Sequence, residues 1–329
     1  MKTQTHILLT GGTGFFGKAL LRHWALQELA GQEMAQVTLL SRNPDRFATQ
    51  HPQLVQHSWL HIVKGDICEA KTLPRDTHFT HVLHAAADST AGPLLSPLER
   101  FEQIVDGTRN VLNLALACGT HRFLLTSSGG VYGVQPPNFS EIPESCHTLP
   151  NPLDAAQAYS IGKRTAEHMC ALYQEVHGMP TMVARCFAFV GQDLPLNVHF
   201  AIGNFIRDAL WADSIQVNGD GSPLRSYLDQ RDLAYWLLAI LYDGQAGHAY
   251  NVGSDRAITI LELAHTVRDV IAPNKPVNIL GTMNQASQRN RYIPCIDKAR
   301  RELGLDVTID LEDAIKFTAS AHVDDSGEL

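Results

Sequence analysis

The feature that most restricts the fold is a cluster of glycines placed where a short apolar run stops. Residues 6–9 read as a β-strand and pass at once into Thr10-Gly11-Gly12-Thr13-Gly14-Phe15-Phe16-Gly17, a G-x-x-G-x-x-G spacing, after which a helical pattern begins. Such a strand-to-helix turn uses Gly11 for the tight bend, Gly14 to let the backbone approach a pyrophosphate, and Gly17 for close packing of helix on strand. The helix that follows, with Phe15 and Phe16 in its first turn, offers N–H groups and the positive end of its dipole to phosphate.

The remaining chain keeps that rhythm. Candidate strands at 37–40, 59–63, 81–84, 122–126 and 181–185 alternate with helical stretches at 14–29, 98–117 and 154–177, the last capped by Asp154. This alternation predicts an α/β fold with a doubly wound parallel sheet. After Arg185 Gly and Pro become more frequent, and the sheet rhythm returns near Tyr250-Asn251-Val252-Gly253. The expected domains are therefore a nucleotide-binding part over 1–185 with a return near 228–256, a smaller interleaved C-terminal substrate lobe over 186–227 and 257–320, and a flexible tail at 321–329.

Composition narrows the partners. With 26 Lys+Arg dispersed among 34 Asp+Glu, the chain has no basic stripe for nucleic acid. The 6 cysteines show neither CxxC pairs nor metal-ligand spacing, and read as reduced thiols of a cytoplasmic protein without a metal. No apolar run reaches membrane-spanning length, and Ile7-Leu8-Leu9 is too short for a signal-peptide core, so no membrane partner is expected.

Candidate site residues sit at the strand ends. Ser41 and Arg42 close the second strand with a hydroxyl and a guanidinium instead of a carboxylate, which suits a 2′-phosphate and favours NADP over NAD. In Gly65-Asp66-Ile67, Asp66 is placed to accept from an adenine amino group with Ile67 beside it, while Ala85, Ala86 and Ala87 are small enough to let the backbone approach the cofactor. Tyr159 and Lys163 are four residues apart and share a helix face, where a cation favours the phenolate of an otherwise weak base. Ser128, in Thr126-Ser127-Ser128-Gly129-Gly130-Val131-Tyr132-Gly133 after the fifth strand, is positioned to hydrogen-bond the reacting oxygen.

Taken in order, TGGTGFFG, GDI, HAAA, DGTRNVL, LLTSSGGVYG, YSIGK, ARCFAFVG, NGDGSPLRSYLDQRDLA and YNVGS make the chain resemble, over nearly its whole length, the extended short-chain dehydrogenases. That family comprises nucleotide-sugar epimerases, dehydratases and ketoreductases. The resemblance implies a Rossmann-type fold, NADP or NAD, a nucleotide-diphosphate sugar as substrate, and a homodimer formed through helices 98–117 and 154–177. It makes Ser128, Tyr159 and Lys163 the catalytic triad, places Ser128 and Gly129 at the substrate, and gives Arg225 the diphosphate clamp that a bidentate guanidinium suits. Arg289 or Arg291, before Tyr292, would add a second phosphate contact.

Three departures refine this. Sugar 4,6-dehydratases follow the catalytic hydroxyl residue with an Asp-Glu pair, and here Gly129-Gly130 stand in that place; a related branch uses a cysteine there, which Gly129 also lacks. Ile104 replaces a customary Asn. What remains is carbon-4 epimerisation or reduction of a 4-keto sugar. The alternatives are a 4,6-dehydratase, a short-chain reductase of a non-sugar carbonyl, against which Arg225 speaks, and a non-catalytic NADP-binding regulator, against which the intact triad speaks.

Overall fold

The structure is a computed structural model that describes residues 5–87, 95–282 and 290–326. It divides into two units, the first made of Met1–Val131, Pro150–Cys186 and Ala234–Tyr250, the second of Tyr132–Leu149, Phe187–Leu233 and Asn251–Leu329.

The elements begin with β1 (His6–Thr10), α1 (Phe15–Leu29), β2 (Gln36–Ser41), α2 (Pro44–Gln50), α3 (Pro52–Val55), β3 (Leu60–Lys64) and β4 (His81–His84). They continue with α4 (Pro97–Ala117), β5 (Arg122–Ser128), α5 (Ala158–His177), β6 (Thr181–Cys186), β7 (Phe189–Val190), α6 (Ala201–Trp211), β8 (Ile215–Val217), β9 (Leu224–Arg225) and β10 (Leu228–Asp229). The chain closes with α7 (Gln230–Asp243), β11 (Ala249–Val252), β12 (Ile258–Thr259), α8 (Ile260–Ile271), β13 (Val277–Ile279), β14 (Arg291–Tyr292), α9 (Asp297–Leu303) and α10 (Leu311–Ser326).

In the first unit the sheet order is β3-β2-β1-β4-β5-β6-β11, with β1 to β6 running parallel. A parallel sheet covered on both faces needs continuous apolar strands, and Ile7, Leu8, Leu9, Val82, Leu83, Leu124 and Leu125 are fully buried. Strand order reverses between β1 and β4, which opens the crevice at the carboxyl ends where such sheets bind ligands.

Helices α4 and α5 pack together on one face, their core shared with Leu8, Val82, Phe123 and Leu125 from the sheet. Ile104 of α4 lies against Gly162 of α5, where a Cβ would sit 3.3 Å from its Cδ1. An apolar helix contact thus occupies the position where the resemblance implies a polar one. A Ser96–Glu99 capping box starts α4. Asp154, in contrast, caps a short 3₁₀ turn at Ala155–Gln157 by accepting from Ala156 N–H, and α5 proper starts at Ala158. Tyr159 therefore sits in the first turn of α5. Below it Arg185 of β6 pairs with Glu167 of α5 at 2.7 Å, and the Ser127 hydroxyl donates to the same carboxylate.

The second unit holds three small sheets, β12-β9-β14, β13-β8 and β10-β7. Tyr132–Leu149 belongs here and not with the first unit, because Asn251 Nδ2 donates to Ile142 O and Gln135 Oε1 accepts from Ile293 N–H. The expected tail is a second correction. Helix α10 runs to Ser326, with His322 Nε2 bonded to Leu194 O, so 321–326 is helical and 327–329 lie outside the described residues. Among the described residues no helix is long and apolar enough to cross a membrane.

Candidate active site

The glycine turn is built by close backbone contact. Gly11 has φ +74°, and a Cβ there would lie 2.4 Å from Ala85 O and 2.6 Å from Ala86 N. Those alanines are held by β1, Ala85 N–H donating to Thr10 O and Ala86 N–H to Thr10 Oγ1. At Gly17 a Cβ would meet Gly12 Cα at 2.1 Å, so the helix closes tightly onto the turn that leaves the strand. Gly12 is constrained as well, by the Leu39 side chain 2.6 Å from its would-be Cβ. Over Gly14 the space is open, the only contact among the described residues being Gly11 O at 3.4 Å. No side chain caps α1 at Gly14. An uncapped helix start beneath an open glycine fits a pyrophosphate, and the Ala85-Ala86-Ala87 backbone borders it.

At the second strand the two candidate residues part. Ser41 is buried, its Oγ accepting from Asn43 N–H at 3.2 Å, whereas Arg42 is exposed. Asp66 is partly engaged by its own loop, Oδ1 accepting from Cys68 N–H. Ile67 is a core residue: its side chain packs where Gly107 of α4 leaves room, and its carbonyl accepts from Asn110 Nδ2.

The three residues expected to form a catalytic trio converge at the end of β5. Ser128 closes that strand close enough to the Tyr159 phenol to act on its ionisation, while its Oγ accepts from Gly130 N–H at 3.1 Å. Burial pushes the phenol above its ordinary range, Cys186 adds to this, and Ser128 and Arg100 pull it back. Lys163 is 4 % exposed, and burial draws its ammonium down to about 8. Its Nζ donates to Thr126 O at 2.7 Å. Gly129 and Gly130 open a short 3₁₀ turn; a Cβ on Gly130 would come 2.8 Å from Ser160 Oγ and 3.3 Å from Ser128 Oγ, so a side chain there would have to displace the Ser160 hydroxyl.

Two residues escaped the reading of the sequence. His84, at the end of β4, is buried between Thr10 Oγ1 (2.7 Å from Nδ1) and Thr108 Oγ1 (3.2 Å from Nε2); burial first, then the Lys163 charge, hold it down at about 3 and therefore neutral. It ties the glycine turn to α4, and a lone His ending an apolar strand was the signal available. Arg100 of α4 lies over the Tyr159 ring, 4.5 Å from its centroid.

In the second unit Arg225 of β9 is half-buried, donating to Leu224 O and Asn290 O. Parallel pairing sets Arg225 beside Tyr292 and Leu224 beside Arg291. Since paired residues share a sheet face and neighbours along a strand alternate, Tyr292 accompanies Arg225 and Arg291 projects from the other face. Arg289 lies outside the described residues. Among the described residues no group of three or more His, Cys, Asp or Glu could hold a metal ion.

Comparison with known proteins gives this site a family. The NAD dependent epimerase/dehydratase family model matches residues 7–253. UDP-glucuronic acid decarboxylase 1 of Danio rerio is 30% identical over 328 residues, covering 96% of this chain and 72% of that protein. UDP-glucuronic acid decarboxylase 6 of Arabidopsis thaliana is 28% identical, covering 95% and 88%. Among solved structures, a UDP-glucose 4-epimerase of Thermotoga maritima with UDP-glucose superimposes with TM-score 0.81 at 20% identity, covering 98% and 100%. A dTDP-glucose 4,6-dehydratase of Streptomyces venezuelae with NAD bound gives 0.83 at 23%, covering 98% of each chain, and both likenesses speak for the fold. The length of the family match, together with the glycine turn and the Ser128–Tyr159–Lys163 arrangement, shows that this chain belongs to the NAD dependent epimerase/dehydratase family of enzymes.

Proposed function

We propose that the chain carries out NAD(P)-dependent chemistry at carbon 4 of a nucleotide-diphosphate sugar, with Tyr159 as the acid/base. The observation that carries this reading is the gathering of Ser128, Tyr159 and Lys163 at the carboxyl end of β5, with Lys163 Nζ on Thr126 O and Ser128 close enough to act on the Tyr159 phenol, two strands from the glycine turn. The dinucleotide, when bound, supplies hydride exchange with the carbon that bears the reacting hydroxyl. Gly11, Gly14, Gly17 and the first turn of α1 with Phe15 and Phe16 hold its pyrophosphate, Asp66 serves the adenine, and Ala85, Ala86 and Ala87 border it.

Tyr159 takes the proton from the sugar hydroxyl and returns it, while Ser128 orients that hydroxyl and shares the proton's hydrogen bond. Lys163 fixes the end of β5 through Thr126 O and keeps further N–H donors for the nicotinamide ribose. Arg225 holds the diphosphate, with Tyr292 beside it.

With glycines at 129 and 130 the site supports the fates of a 4-keto sugar that need no additional acid and base. These are epimerisation, reduction by an exchanging cofactor and, where carbon 6 is a carboxylate, loss of carbon dioxide from the β-keto acid. The curated relatives favour the last as a second reading and make UDP-glucuronic acid the first compound to try. Purified protein is incubated with NAD or NADP and with UDP-glucuronic acid, UDP-glucose and dTDP-glucose in turn, and products are resolved by mass spectrometry. A product altered at carbon 4 or lacking carbon 6 supports the reading; unchanged substrate across the series rejects it.

Exposed Arg42 is assigned to the 2′-phosphate of NADP. Arg42→Glu is expected to weaken NADPH binding on the order of 10- to 100-fold, the worth of a charge-assisted pair, with little effect on NADH in a fluorescence titration. Equal losses for both would return the preference to NAD. Six free cysteines accord with a cytoplasmic setting. A homodimer is assigned to α4 and α5, which expose Leu116, Leu172 and Val176; sedimentation tests it.

A further inference from the structure

The charges around Tyr159 do not follow from the Tyr-x-x-x-Lys spacing. Lys163 gives one of its N–H donors to the Thr126 carbonyl, with Glu167 also close enough to act on its charge. Facing the phenol instead are Arg100 from α4, Cys186 from β6 and the Ser128 hydroxyl from β5. Cys186 is a buried thiol pushed up to about 12, so it brings no charge of its own near neutral pH and no help to the phenolate. Arg100 is different in kind. Its guanidinium carbon stands over the ring face, and its Nε is buried without a hydrogen-bond partner among the described residues.

An unpartnered guanidinium N–H is costly to bury. A cation over an aromatic face recovers part of that cost through the ring quadrupole, and recovers more when the ring carries phenolate charge. Helix geometry fixes the arrangement: Arg100 and Ile104 are four apart on α4, so Ile104 packing on Gly162 sets Arg100 one turn earlier, over Tyr159.

We propose that Arg100 is a positioning residue that holds Tyr159 under its guanidinium and adds a second cation, beside that of Lys163, favouring the phenolate. This rests on the reading of Tyr159 as the acid/base. Removing the cation disfavours the phenolate, so any rate limb set by that form moves to higher pH.

The test is a tyrosinate absorbance titration of the full-length protein, taken as the difference between the parent and Tyr159→Phe, which isolates this one phenol. It is repeated in Arg100→Met and Arg100→Lys backgrounds. The midpoint is expected to rise by about one pH unit in Arg100→Met, about tenfold less phenolate at a given pH, and to return most of the way in Arg100→Lys. With a nucleotide sugar that turns over, the low-pH limb of kcat/KM moves with it while KM stays. Arg100→Lys keeps a cation on a flexible stem, so a folding defect in the Met variant leaves the question decidable.

An unmoved midpoint in Arg100→Met overturns the proposal. So does a raised KM with an unmoved limb, which would make Arg100 a substrate contact. Because the titration needs no turnover, a failed search for substrate and a failed role for Arg100 remain distinguishable.

Discussion

Tyr159→Phe is expected to lower kcat by roughly 100- to 10,000-fold, the usual worth of a positioned proton-transfer group, while dinucleotide affinity stays within a few-fold of the parent. The substitution removes one oxygen and keeps the ring. That ring packs against the core beneath α4 and lies under Arg100, so the helix contact survives. What is lost is the hydroxyl beside Ser128 that is assigned the proton exchange with the sugar. Steady-state kinetics with the best substrate of the series and a dinucleotide titration check the two halves separately. A drop in dinucleotide affinity as large as the drop in kcat would make Tyr159 a scaffold of the cofactor site.

Gly11→Ala is expected to damage the fold and the cofactor site together. A residue with a Cβ pays about 1–2 kcal/mol for the left-handed backbone at φ +74°. It also drives that Cβ to 2.4 Å from the carbonyl oxygen of Ala85, a backbone atom with no rotamer to relieve it. Overpacking of this kind adds about 1–3 kcal/mol. The Ala85-Ala86 segment must then move, and its hydrogen bonds to Thr10 with it. Gly31 provides the control, with the same φ of +74° and nothing within 4 Å of its would-be Cβ. Gly31→Ala should show only the backbone cost in urea denaturation and leave dinucleotide binding unchanged, whereas Gly11→Ala should lose both. Equal effects at the two sites would mean that the contact with Ala85 contributes nothing.

Much of the first unit was legible in the sequence because parallel strands leave runs of apolar residues and their turns leave glycines. Strands were read short at their carboxyl ends: β5 extends past Thr126 to Ser128, since polar residues in that stretch still pair with β6. Ser41 and Arg42 looked like one unit, yet the first turns inward to hold Asn43 and only the second faces solvent. Ile67 was read as a cofactor residue from its neighbour Asp66, although a side chain seated over Gly107 is decided by a helix forty residues away.

Other features depended on packing that no local pattern records. Arg100, between Glu99 and Glu102, reads as one more charge on a solvated helix; only the pairing of α4 with α5 sets it over Tyr159. The assignment of Tyr132–Leu149 rests on hydrogen bonds from residues more than a hundred positions later, such as Asn251 and Ile293. In α10 the buried Ala314, Ile315 and Ala319 hold a helix that the acidic residues after them disguised as a tail.

The most direct test of the central claim is a deuterium effect measured on UDP-glucuronic acid and UDP-glucose labelled at carbon 4 or, as a control, at carbon 3. The predicted result is slower turnover in single-turnover kinetics with the carbon-4 label alone, and a carbon-4 deuterium that Tyr159→Phe no longer passes to the dinucleotide. Turnover indifferent to the carbon-4 label and sensitive to another position would contradict it, because the reacting hydroxyl would then not be the one assigned to Tyr159.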